Sequence, residues 1–162
     1  MIQVALLAVF LLISTVFLHY EGLGAISRNI LAHKDPGRPQ MLIVVFGVIV
    51  LHALEIALYA VGFWTVGVWW HLGGLGGVRA IQSWDYLYFA AEAFPCLGLG
   101  DVYPLGDLRL LASVEALNGV ILLGWSGSFT FLMMQRFWLA QNGPPPAPSG
   151  LNHSHAPELL SV

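Results

Sequence analysis

From Met41 to Trp70 the chain carries one charged side chain, Glu55, in an otherwise apolar run. A helix that crosses a bilayer needs about 20 such residues, so this stretch is long enough to span and must tilt or protrude. Two further stretches read the same way: Gln3 to Phe17, ending at His19, Tyr20 and Glu21, and Leu108 to Trp138. Composition agrees. Hydrophobic residues make up 57% of the chain and charged residues 9%, against roughly 25% charged in a soluble domain. Too little charge is present to cover a water-facing surface, so lipid is the expected solvent. Six Lys and Arg with a net charge of −3 supply no basic patch for nucleic acid. The single Cys96 excludes an internal disulfide framework.

The expected organisation follows from these runs. Residues 1–21 form an N-terminal transmembrane helix; a cleaved signal peptide is the competing reading, but no Lys or Arg precedes the apolar run. Residues 22–40 form a loop holding Arg28, Lys34 and Arg38, which the positive-inside rule puts in the cytoplasm, with the N-terminus outside. An outer helix covers 41–70, with Trp64, Trp69 and Trp70 as anchors at the outer interface. The glycine-rich stretch His71 to Gly77 is expected to turn. An inner helix at 107–138 returns to the cytoplasmic side, and the Pro-rich segment 139–162 is expected as a disordered cytoplasmic tail.

Between the outer and inner helices lies a helix too short to cross. Ser83 is a candidate N-cap and Asp85 sits in the first turn, where a negative charge suits the helix dipole. Pro95 ends the run, so the helix at 83–95 covers about 18 Å, short of the roughly 30 Å of hydrocarbon. The sequence Cys96-Leu97-Gly98-Leu99-Gly100-Asp101 that follows is no helix. Non-helical backbone between two spanning helices survives only inside protein or beside a water-filled cavity, so a re-entrant loop is expected. Glycine at alternate positions permits dihedrals that turn successive carbonyls one way, as oxygen ligands for a dehydrated cation. One loop offers too few oxygens, which calls for several copies around an axis.

The segment YFAAEAFPCLGLGDVYPLGDLRLLASVEALNGVILLG, Tyr88 to Gly124, resembles the pore region of two-transmembrane potassium channels. The match covers roughly Met41 to Trp138, with CLGLGD at 96–101 where that family has TVGYGD. The resemblance implies a homotetramer in the cell membrane, with an ion-coordinating filter at Cys96, Leu97, Gly98, Leu99 and Gly100. It implies filter support from Glu92 and Asp101, with Phe89 contributing to an apolar cuff, and a gating hinge at Gly119. Arg109 matches a basic residue starting the inner helix and Gly124 a second small position. Cys96 stands where the family has threonine, Leu99 where it has tyrosine, and Pro95 in place of another threonine. Those departures leave the backbone cage as the expected ligand and put potassium selectivity in question.

Other polar residues have more than one reading. Glu92 and Asp101 are expected to share a proton, because two nearby carboxylates resist double ionisation. Glu115 either bridges behind the filter or attracts cations into a cavity; Asn118 is the candidate for a cavity-facing polar group. His52 and Glu55 stand at i and i+3 on one helix face, with His19 or Glu21 as possible third members. A hydrogen-bonded tie between helices is preferred there to a metal site. The resulting expectation is an all-α membrane protein that passes monovalent cations, with no cofactor, no metal beyond the permeant ion, no small-molecule substrate and no enzymatic activity. The alternatives are a non-conducting scaffold with a degenerate filter, and an intramembrane metalloenzyme using His52 and Glu55. Control of opening by pH is open, since the chain holds six histidines.

Overall fold

A computed structural model describes residues 1–31, 38–77 and 80–142. Four helices and a two-stranded sheet follow in order: α1 Ile2–Leu31, α2 Arg38–Trp64, a π-helical turn Thr65–Trp69, β1 Gly73–Gly77, α3 Trp84–Ala93, β2 Val102–Gly106 and α4 Leu108–Asn142. Three helical stretches, Ile2–Ile30, Pro39–Trp69 and Leu108–Leu139, are long and apolar enough to cross a membrane. α3 is not. At ten residues it extends about 15 Å.

α1 continues well past the expected end at residue 21, through Gly22 and Gly24, so much of the expected loop at 22–40 is helix. The reason lies in the neighbour. A Cβ on Gly22 would come 2.6 Å from Leu51 Cδ1, and one on Gly47 would come 2.9 Å from Ile26 Cδ1. These glycines let two helices approach closely, as small residues do between membrane helices. Nearer the other end Leu11 lies against Gly62, where a Cβ would meet its Cδ1 at 2.5 Å. Leu11–Gly62, Gly22–Leu51 and Ile26–Gly47 together fix α1 and α2 as antiparallel. Of the expected loop, residues 32–37 lie outside the described residues, as do residues 143–162 of the expected tail.

α4 runs the other way to α2 and parallel to α1. The Met1 amine meets the Asp107 carboxylate at the start of α4, Thr15 meets Asn118, and His19 meets Ser126 further along. The core gathers where α1, α2, α3 and α4 converge, around Leu11, Tyr59, Phe63, Phe89, Phe94 and Leu111. Phe10, Phe17, Phe46 and Ile121 stay exposed, which suits surfaces facing lipid or another copy.

Instead of turning, the expected turn at 71–77 forms a strand. β1 pairs antiparallel with β2, with Gly73 opposite Gly106, Leu75 opposite Pro104 and Gly77 opposite Val102. Pro104 is tolerated because each strand of a two-stranded sheet is an edge. The Tyr103 ring lies over Gly76, where a Cβ would come 2.6 Å from Cε2. This clip closes a bracket around α3 and the following loop, because its strands flank that segment in sequence.

α3 is also capped otherwise than expected. Ser83 already has helical dihedrals and makes no side-chain cap. The buried Asp85 accepts the Gln82 N–H at 2.6 Å instead.

Candidate ion pathway

The end of α3 sets the loop that follows. The Cys96 N–H donates to the Ala93 carbonyl and the Leu97 N–H to the Glu92 carbonyl, each at 2.9 Å. This pair of bonds is a Schellman closure, which needs a left-handed residue at the position after the cap. Cys96 occupies it with φ 58°, where glycine is usual. Its thiol turns toward the Ala116 carbonyl on α4, at 3.5 Å.

From there the loop alternates. Cys96, Gly98 and Gly100 have φ of 58°, 62° and 83°, whereas Leu97 and Leu99 keep negative values. Nothing lies within 4 Å of a Cβ built on Gly98 or Gly100; conformation, not space, requires glycine there. Alternation of hand turns successive peptide units the same way, N–H groups on one side and carbonyls on the other.

Two bonds identify the sides. The Gly100 N–H donates to Glu92 Oε1 at 3.1 Å, and the Leu97 N–H to the Glu92 carbonyl. Both point back at α3. In a trans peptide the carbonyl points opposite its own N–H, so those of Cys96 and Leu99 face away from α3. Among the described residues no hydrogen bond ends on a carbonyl of residues 96–100. These residues are exposed in the single chain, so the open carbonyls are free to meet water, an ion or a neighbour.

The two carboxylates, expected to share a proton, hold separate hydrogen bonds. Glu92 accepts from Gly100 and leaves its second oxygen buried without a partner among the described residues. Asp101 instead lies with both oxygens 3.2 Å from the Tyr88 hydroxyl, which donates to it. Both residues thus fasten the loop to α3, by separate bonds. Phe89 is buried edge-on against Phe63 of α2, with ring centroids 5.1 Å apart. Within one chain Leu97 and Leu99 each stay 62% exposed, so a cuff around them is not closed by this chain alone.

The inner helix departs from expectation at three positions. Asn118 does not face a cavity: it is buried, and its amide donates to Thr15 Oγ1 at 2.7 Å and to the Tyr59 hydroxyl at 3.1 Å. Glu115 is fully buried within the chain, and both its carboxylate oxygens lack partners among the described residues. α4 runs unbroken through Gly119, whose missing side chain serves packing. A Cβ there would stand 2.0 Å from the Phe94 carbonyl oxygen at the end of α3. Gly124, with nothing within 4 Å, makes no such contact.

Helical spacing puts His52 and Glu55 on one face and leaves the third member open between His19 and Glu21. The structure brings His19 of α1 to them, while Glu21 is exposed. Helical spacing finds partners on one helix only; the 36-residue separation of His19 from Glu55 carries no such signal.

Comparison with known proteins agrees with this architecture. No curated protein and no solved structure matches the chain. Residues 40–136, which take in α2, the bracketed loop and most of α4, match the family described as ion channel. With more than half its length in that match, beside an additional N-terminal apolar helix, the chain belongs to the ion channel family of two-transmembrane, potassium-channel-like domains.

Proposed function

We propose that the chain is a passive cation channel in which four copies surround one pore and potassium is the permeant ion. The observation that carries this reading is the alternation of φ along Cys96–Gly100, with N–H groups fastened to α3 and carbonyls left open. Carbonyls of Cys96, Leu97, Gly98, Leu99 and Gly100 would replace the hydration shell of the ion. Glu92, Asp101 and Tyr88 hold the strip from behind, so ligand geometry does not rest on the family's threonine and tyrosine. The groove beside the strip, lined by Phe89, Ala93, Cys96, Gly98, Ala112 and Ala116, would receive the next copy, and the exposed Leu97 and Leu99 would be covered in the assembly. The membrane is the plasma membrane, with the filter mouth and the α1 N-terminus on its outer side and the end of α4 in the cytoplasm.

The test is a reversal-potential measurement on the full chain in bilayers with potassium on one side and sodium on the other. A potential close to the potassium equilibrium value supports the reading. Current without selectivity keeps the channel and removes potassium preference. Absence of current with correctly folded, assembled protein favours a membrane scaffold.

A further inference from the structure

We propose that His19, His52 and Glu55 form a binding site for a divalent first-row transition ion of the zinc class, tying α1 to α2 beside the C-terminal end of α3. His19 and Glu55 are fully buried and the His52 side chain is 13% exposed. The Nδ1 atoms of His19 and His52 each lie 2.8 Å from a different oxygen of the one Glu55 carboxylate. One ligand atom from each residue lies within 4.8 Å of the others.

Ionisable side chains inside membrane spans are expensive and mark function by default. The tie sets one Glu55 oxygen against each imidazole and leaves the buried Nε2 of His52 without a partner among the described residues. Two imidazoles and a carboxylate are a donor set that suits zinc and its neighbours, not calcium or magnesium, which take oxygen ligands.

The surroundings are those of a ligand set. The Nε2 of His19 lies 3.4 Å from Ser126 Oγ on α4, an outer partner of the kind that fixes the orientation of a metal-bound imidazole. Trp125 and Phe94 rings flank His19 and His52, with centroids 5.3 and 5.7 Å away, giving an apolar shell. Ligands 2.0–2.2 Å from a tetrahedral ion stand about 3.4 Å apart, so each 2.8 Å contact opens by about 0.6 Å as the ion replaces the shared protons. Phe94, whose ring borders His52, also contacts Gly119 of α4 through its carbonyl. An occupied site would therefore brace the junction of all four helices.

Metal content is read without reference to conduction, so the proposal stands or falls apart from the channel reading. The full chain, purified in detergent and stripped with chelator, is titrated with Zn²⁺ and with Co²⁺. One ion per chain is expected, with X-ray absorption showing two imidazoles and oxygen in the inner sphere. His52→Ala should weaken binding by at least about 100-fold, beyond the loss usual for an outer partner. Replacing His153 and His155 of the C-terminal segment should change nothing. No saturable ion, an inner sphere without imidazole, or binding that disappears with His153 and His155 overturns the site. Should His52→Ala fail to fold, the absorption spectrum of the unaltered protein decides.

Discussion

Two polar regions of this chain lie in otherwise apolar surroundings and solve the problem of unpaired groups in opposite ways. Between α1, α2 and α4, side chains satisfy one another: Asn118 with Thr15 and Tyr59, and Glu55 with His19 and His52. That seam is largely complete within one chain. The loop at 96–101 is fastened from behind, through Glu92 and Asp101, and among the described residues no hydrogen bond ends on the carbonyls of 96–100. The seam thus ties three helices within one chain, whereas the loop keeps open acceptors on its exposed side. Glu115 belongs to neither, being buried with both oxygens unpartnered among the described residues.

Gly98→Ala breaks the comparison most sharply. A Cβ there meets no atom, so the fold should survive, but a left-handed conformation costs an L-residue about 1–2 kcal/mol in each copy. Ion flux into liposomes should fall at least about 100-fold, with helical circular dichroism unchanged. A channel that conducts normally with alanine at 98 would separate the alternation from conduction.

Gly119→Ala should damage stability instead. The added Cβ collides with the Phe94 carbonyl, and overpacking costs typically about 1–3 kcal/mol, here at the upper end because backbone must move. Denaturant unfolding in detergent reads the loss. If Gly119 served bending alone, stability would hold and only opening would change.

Asn118→Ala removes two hydrogen bonds from the seam and leaves Thr15 and Tyr59 to find new partners. The expected loss is about 1–2 kcal/mol, by the same unfolding measurement, with potassium-to-sodium preference untouched. A change in preference would put Asn118 back in the pore. Gly124→Ala gives the smallest effect. Its position is open and within α4, so alanine should gain up to about 1 kcal/mol from helix propensity. A loss there would mean that another copy packs on Gly124.

Much of this arrangement is legible from residue order alone. Hydropathy marks α2, α4 and the short α3, because crossing lipid demands length and apolarity; Pro95 and the spaced glycines mark where helix gives way. What hydropathy does not mark is where a helix stops once it has left the lipid, so Tyr20 to Leu31, polar enough for a loop, continues α1 on the strength of contacts with α2. The β1–β2 clip is hidden because glycine-rich strands carry no alternating pattern. Asn118 finds Thr15 across 103 residues, a separation no local spacing encodes. Cys96 has a further part that residue order does not show: its left-handed backbone closes the end of α3.

The central claim is spatial and is tested most directly by electron cryomicroscopy of the full chain in lipid nanodiscs. The expected map has four copies with Gly98 next to the symmetry axis and density for ions between rings of carbonyl oxygens. A single copy, or an assembly in which Gly98 faces lipid or bulk water, would contradict the account.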